Sequence, residues 1–325
     1  MMRVCFLVND RREPSVEQTT TLLISAALRR NHEVWVCGVG DLGMGDDVTV
    51  VAKACAPRAS DPPALVDELS ASEGSRCVLD EQTLCIVRTN PGRDEARRAL
   101  HLAALRLLER VSDQGARVIN SPRGLSRALT KLSLMDLPVD LRPRTLVTQD
   151  PDAIEAFLEQ EPAPVVIKPL EGTRGRDVFV LDRKHARANV RQIIDVILRQ
   201  GYAMVQEFVP GAEQGDVRVT VIGGKVLELD GHAAAVARVP SHKDFRSNLH
   251  AGGSARPVEV TAAMRDAIAR IAPQLQSEGL VHVGVDFVGG RILELNVFSP
   301  GGLYPSERLY GKDFSAAAVE AFERA

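Results

Sequence analysis

The sequence lacks most of the signals that assign a chain quickly. No apolar run is long enough to cross a bilayer, and the run after Met1-Met2-Arg3 is too short for a secretion signal. The 325 residues carry a net charge of −3, so no broad basic surface advertises nucleic acid. The expectation is a cytoplasmic chain with neither membrane nor nucleic acid as partner. The five cysteines, Cys5, Cys37, Cys55, Cys77 and Cys85, are odd in number and have no CxxC spacing. That argues against a disulfide framework or zinc site and for buried free thiols. The seven histidines show no HxxxH or HExxH spacing. The turn after the first strand, Asn9-Asp10-Arg11-Arg12-Glu13-Pro14, has no glycine. The dinucleotide fingerprint is therefore absent, which counts against a nicotinamide-dependent dehydrogenase. No Ser–His or Cys–His arrangement for a protein nucleophile is recognisable. There is no internal repeat and no low-complexity segment.

What is present describes a globular α/β protein. Hydrophobic content is 45% and charged content 26%, and the length favours two or three domains. Up to residue 120, strands alternate with helices: strands near 4–8, 33–39, 84–88 and 116–120, helices near 14–30 and 93–112. A further strand is expected at 49–54. This alternation predicts a parallel sheet. Residues 57–74, rich in Pro, Ser and Asp, are expected to be irregular. Ser121-Pro122 is a good helix start, and the helix that follows carries Lys131. Next come a strand at 144–147, a helix at 151–159, and the buried strand Val165-Val166-Ile167-Lys168-Pro169. A cation ending an apolar strand needs a partner, and phosphate is a good one. The turn Gly172-Thr173-Arg174-Gly175 leads back into a strand at 178–181. Such a hairpin tip can fold over phosphates through its backbone N–H groups. A helix at 184–200 and a strand at 204–208 follow.

From Asp216 the pattern becomes antiparallel. Residues 238–253 are polar and glycine-rich and predict a mobile loop, a candidate lid. A helix spans 261–277 with Thr261 as N-cap. Then come two apolar runs around Gly289-Gly290, a strong hairpin signal. Glu294 and Asn296 are two apart and share a face, and Asp286 can face them from the paired strand. Three converging oxygen-bearing side chains suit a hard cation such as Mg²⁺; an amphipathic hairpin with one solvated face has the same pattern. Ser299-Pro300-Gly301-Gly302 follows within a few residues. Its two glycines leave N–H groups free of side-chain cover, which can hold a carboxylate. The alternative is an ordinary turn into a terminal helix near 315–323.

Taken together, these features resemble the ATP-grasp superfamily, and within it bacterial glutathione synthetase. The resemblance runs nearly the full length. It is strongest in Asn120-Ser121-Pro122, Ile167-Lys168-Pro169-Leu170-Glu171-Gly172, Asn248-Leu249-His250-Ala251-Gly252-Gly253, Gly284-Val285-Asp286, and Glu294-Leu295-Asn296-Val297-Phe298-Ser299-Pro300. It implies an N-terminal α/β domain (1–121), a central lid (122–202) and a C-terminal catalytic domain (203–325). ATP would be gripped between the last two. The fold class is α/β and α+β: a parallel pre-ATP-grasp domain followed by a two-lobed ATP-grasp fold. The implied activity is ADP-forming C–N ligation through an acyl phosphate. The substrates would be an amino acid and a γ-glutamyl dipeptide or similar carboxylate. By position, Lys131, Lys168, Gly172 and Gly175 would serve the ATP phosphates. Gln206, Glu207 and Val209 would line the adenine site, and Asp216 would hold the ribose. Asp286, Glu294 and Asn296 would bind Mg²⁺, with Mn²⁺ as an alternative. Arg218 and Arg246 would stabilise the transferred phosphate. Arg88, Ser299, Gly301 and Gly302 would read substrate. The family also implies a homodimer or homotetramer.

The chain departs from this family at three places. The loop Gly172-Thr173-Arg174-Gly175-Arg176 has fewer glycines and two added arginines. Arg88-Thr89-Asn90-Pro91-Gly92-Arg93-Asp94 keeps only the outline of a substrate-shaping run. Gly301-Gly302-Leu303-Tyr304 replaces a small polar pair. Residues 230–234 also lengthen a hairpin of unclear role. The last two departures sit where substrate would be read. Ligation of other amino acids or peptides is therefore the first alternative, and a catalytically silent ATP-binding protein the second.

Overall fold

The computed structural model describes residues 1–172, 176–182, 187–240 and 253–325. The N-terminal sheet has four parallel strands in the order Glu33–Gly38, Arg3–Val8, Thr83–Arg88, Arg117–Ile119. The two inner strands, Arg3–Val8 and Thr83–Arg88, are short apolar runs buried along almost their whole length, and helices including Thr19–Arg29 and Arg98–Asp113 pack with the sheet. All five cysteines are free and buried.

Two expectations for this region need correction. The strand Val50–Ala54 is present but pairs antiparallel with Leu42–Met44 and Ser75–Val78 in a separate sheet. Residues 57–74 are not wholly irregular, because a helix spans Pro62–Ala71. The Asp61 carboxylate accepts from Ala64 N at 3.4 Å, and Pro62-Pro63 occupies the first turn. Proline there forfeits only an N–H that the helix start leaves unbonded anyway. Lys131 likewise sits on a 3₁₀ segment, Lys131–Asp136, rather than on a longer helix.

The central sheet is antiparallel, in the order Phe179–Leu181, Val165–Pro169, Ala203–Glu207, Thr145–Thr148. Helices Pro151–Gln160 and Arg187–Leu198 belong to the same unit. Ile154, Phe157, Ile167, Ile194 and Val205 form a core of their own, separate from the rest of the molecule. A lobe with its own core can rotate as a unit without breaking another core.

The C-terminal sheet runs Ser254–Arg256, Ala235–Val239, Asp216–Ile222, His282–Val288, Arg291–Asn296, all antiparallel. Gly289 and Gly290 take φ of +54° and +84°, as the tight hairpin between the last two strands requires. Helix Ala262–Ser277 is capped by Thr261, whose hydroxyl accepts from Met264 N at 3.3 Å. The first and last parts of the chain share a core: Phe314 and Phe322 cluster with Phe6 and Leu23. The lengthened segment near 230–234 forms a small hairpin of Glu228–Leu229 with His232–Ala233. Leu227, Leu229 and Ala234 join the same core, and Asp230 pairs with Lys312 at 3.0 Å. The hairpin packs against the last helix, Phe314–Arg324.

Candidate active site

One large cleft, about 1170 Å³, is bordered by all three units. Every expected site residue within the described residues lines it. Arg246, Gly175 and nearly all of the expected 238–253 loop lie outside the described residues.

The cleft floor is the C-terminal sheet. Register places Arg218 opposite Asp286, and Asp286 opposite Glu294, in a row across three strands. Opposite residues in antiparallel strands share a face. Asp286 is 2% exposed and tightly engaged. Arg218 grips it with Nε on Oδ1 and with Nη2 2.7 Å from Oδ2. Arg238 Nη2 donates to Oδ2 at 2.8 Å, and Asn296 Nδ2 lies 3.2 Å from the same oxygen. Burial pushes the Asp286 carboxyl up, but the two guanidinium groups override it and hold it below the usual carboxylate range. Glu294 makes no hydrogen bond or ion pair among the described residues. Two carboxylates and an amide on one face fit a hard cation that completes its shell with water and phosphate oxygens. The described residues contain no cluster of three His, Cys, Asp or Glu that could hold a metal unaided.

Asp216, expected at the ribose, is bound in two-point fashion by Arg238, with Nε at 2.6 Å and Nη2 at 2.8 Å. Arg238 thus bridges two acids that sequence reasoning gave to nucleotide and metal, and its own part was missed. The signal was available: Ala233-Ala234-Ala235-Val236-Ala237-Arg238-Val239 is an apolar strand carrying one cation, the pattern that singled out Lys168. Gly215 permits this approach, since a Cβ there would sit 2.0 Å from Arg238 O.

The cleft roof belongs to the central lobe. Lys168 is next to last in the strand Val165–Pro169, and its ammonium makes no hydrogen bond among the described residues. Burial pushes its ammonium down to about 8, partly offset by Glu294 and reinforced by Lys131. Lys131 Nζ donates to Gly172 O at 2.8 Å and so braces the loop that Gly172 opens. Burial lowers its pKa too, against the pull of Glu294 and Glu171. Two ion pairs join this lobe to the N-terminal domain, Glu171 to Arg98 and Arg176 to Glu95, each at 3.0 Å.

The connection between central and C-terminal lobes holds Gln206, Glu207 and Val209. Gln206 Nε2 donates to Thr145 Oγ1 at 3.0 Å. The Glu207 carboxylate is held by Arg291 and by Arg144 N. Both side chains are therefore tied to protein, and Glu207 works as a tether between lobes. Arg88 is 4% exposed, and its Nη2 donates to Pro300 O at 2.9 Å. Arg218 Nη1 donates to Gly301 O at 3.4 Å. Arginines from two domains thus hold successive carbonyls of the Ser299–Gly302 turn. Ser299 has φ +45° and Gly302 φ +133°.

Comparison with known proteins shows the family. The prokaryotic glutathione synthetase N-terminal domain matches residues 2–126, and the ATP-grasp domain of the same family matches residues 130–311. The glutathione synthetase of Synechococcus elongatus is 31% identical, covering 99% of this chain and 98% of that protein. The glutathione synthetase of a Synechocystis strain is 32% identical, covering 95% of each. Among solved structures, a D-cycloserine synthetase superposes with TM-score 0.64 at 20% identity over 99% of each chain. An ATP-grasp ligase solved with a phosphomimetic variant of its minimal precursor, Mg and ADP also superposes with TM-score 0.64, at 20% identity over 98% of this chain and 97% of that one. These two show the shared fold. The chain belongs to the prokaryotic glutathione synthetase family.

Proposed function

We propose that this cleft joins a γ-glutamyl dipeptide, γ-glutamylcysteine, to glycine at the expense of ATP. The chain is an ATP-dependent amide-forming ligase. The observation that carries the site reading is the convergence of Lys131, Lys168, Arg218, Asp286 and Glu294 on one cleft between separately cored lobes. The donor carboxylate attacks the γ-phosphate of ATP. Lys168, held without a protein partner, meets the phosphates, and Lys131 fixes the loop beside them. Arg218 sits at the junction of floor and turn, where it neutralises charge spread over the transferred group. The backbone between Gln206 and Val209 faces the adenine, and Asp216 the ribose. Asp286, Glu294 and Asn296 hold Mg²⁺, or Mn²⁺ in its place, which supplies charge neutralisation on the phosphates when bound. The turn Ser299–Gly302 presents its N–H groups to a substrate carboxylate. The amine then attacks the acyl phosphate, giving amide, ADP and phosphate. The central lobe, residues 122–202, closes as the lid that keeps water from this intermediate. The protein works in the cytoplasm as a homodimer or homotetramer.

Hydroxylamine trapping tests the intermediate. With ATP, Mg²⁺ and γ-glutamylcysteine but no glycine, hydroxylamine is expected to yield a dipeptide hydroxamate and stoichiometric ADP. Release of AMP with the hydroxamate would point to an adenylate and overturn the scheme.

A further inference from the structure

The strand Ala203–Glu207 leaves the central lobe through the short run Glu207-Phe208-Val209-Pro210. Glu207, Phe208 and Val209 border the large cleft on one side and a second cavity, of about 420 Å³, on the other. They form a wall one chain thick between the two. The outer cavity is also bordered by Glu161, Pro162 and Arg291, and Arg291 does not reach the cleft. Whatever Arg291 does by contact to a ligand in the cleft, it does through this wall.

The wall is held from two sides. On the side of the central lobe, Glu207 N donates to Arg144 O at 3.0 Å and Phe208 N to Pro164 O at 3.1 Å. Arg144 N returns a bond to Glu207 Oε1 at 3.1 Å. Arg144 is itself fixed, by Glu161 at 2.6 Å and by the Phe157 ring, whose centroid lies 4.5 Å from the guanidinium carbon. On the side of the floor, Arg291 Nη1 donates to the same Glu207 Oε1. This is the only polar contact between the wall and the floor hairpin among the described residues. One carboxylate oxygen is thus shared between the two lobes. Arg291 also opens the strand Arg291–Asn296, which carries Glu294 and Asn296. From Arg291 to Glu294 that strand spans only about 10 Å. The wall and the floor acids are therefore joined through one side chain and one short strand.

We propose that Arg291 is a positioning residue for nucleotide binding. Through Glu207 it holds the wall at a fixed distance from the floor hairpin, so that the wall's backbone meets the base while the floor acids meet the metal. This rests on the reading above that sets adenine against the wall, and it assigns part of base selection to a residue that touches no ligand. Its action is confined to the base end, because Lys131 and Lys168 reach the phosphates from other elements. The side chains of Arg291 and Glu207 are 45% and 25% exposed, so the expected effect is about two- to fivefold in affinity, the weight of an exposed ion pair.

Isothermal titration of the full chain with Mg²⁺ and two non-hydrolysable triphosphate analogues, one carrying adenine and one guanine, tests this. The wild type is expected to prefer adenine by about tenfold or more, the weight of one hydrogen bond lost by the wrong base. Arg291→Ala is expected to weaken the adenine analogue about two- to fivefold and to leave the guanine analogue unchanged. Arg291→Lys keeps a single-point contact and should restore the adenine affinity. Glu207→Gln should weaken the adenine analogue to the same degree as Arg291→Ala, and the double variant should be no weaker than either single one. Equal weakening of both analogues in Arg291→Ala, unchanged affinities there, or no recovery in Arg291→Lys would overturn the positioning role. Should Arg291→Ala not fold, Glu207→Gln and Arg291→Gln carry the same comparison. The reading beneath it fails separately: equal affinities for the two analogues in the wild type would discard the wall as the adenine site, and the positioning role with it.

Discussion

Arg238 reaches across the full width of the strand Asp216–Ile222 to place its Nη2 2.8 Å from Asp286 Oδ2 on the next strand. With Arg218 on the other side, Asp286 is a buried carboxylate between two guanidinium groups. Removing it would leave the buried Arg218 without its counter-charge, while Arg238 keeps Asp216, and breaking such a buried pair costs about 3–5 kcal/mol. Asp286→Ala is therefore expected to abolish ADP release and also to lower the melting temperature. A variant that loses activity with an unchanged melting curve would show that Asp286 serves only the metal.

Lys168 should behave in the opposite way. It is desolvated without a hydrogen-bonded partner, so Lys168→Met is expected to leave stability unchanged or slightly raised and to weaken ATP binding by about tenfold or more. The pH dependence has a definite sign. With its pKa pushed down to about 8, Lys168 is charged below that value and neutral above it. ATP affinity of the free enzyme should fall between pH 7 and 9, and that fall should be missing in Lys168→Met. An identical pH profile in both proteins would remove Lys168 from the phosphate site.

The adjacent glycines of the Ser299–Gly302 turn make a paired test of its proposed substrate role. A Cβ on Gly301 would meet nothing within 4 Å, and its φ is not in the left-handed region. Gly301→Val should therefore fold normally and raise a substrate KM far more than that of ATP. Gly302 has φ +133° and sits against Arg218 and Thr220, so Gly302→Ala should cost roughly 1–3 kcal/mol of stability through backbone strain. A lowered melting temperature for Gly301→Val with equal shifts in all KM values would discard the carboxylate role of this turn.

The pairs Arg98–Glu171 and Glu95–Arg176 are exposed, and each is worth about 0–1 kcal/mol. Both hold the central lobe against the N-terminal domain. Replacing Glu95 and Glu171 together by alanine is expected to raise the ATP KM about two- to fivefold at low salt. The gap should close near ~0.5 M salt, where screening is short-ranged. A salt-independent gap would mean the two acids act in some way other than by closing the lobe.

Much of this was legible from the sequence because the determining contacts are local or repeat with a fixed period. Strand–helix alternation marks the parallel sheet, Gly289-Gly290 marks the floor hairpin, and Thr261 marks its helix. The helix Pro62–Ala71 was missed because Asp61-Pro62-Pro63 is turn chemistry and helix-start chemistry at once. Arg238 was missed for a different reason. Its partners lie 22 and 48 residues away, a distance over which period and propensity carry no information. The same holds for Arg88, which reads as a substrate residue in the chain but spends Nη2 on Pro300 O, 212 residues on.

The most direct measurement of the central claim is the stoichiometry of the complete reaction. Purified protein should be incubated with ATP, Mg²⁺ and γ-glutamylcysteine, with glycine or each other amino acid in turn, while ADP, phosphate and amide are quantified together. The expected result is one ADP and one phosphate per amide formed, with glycine the preferred amine. Amide formation without ATP consumption, or with release of AMP, would contradict the account.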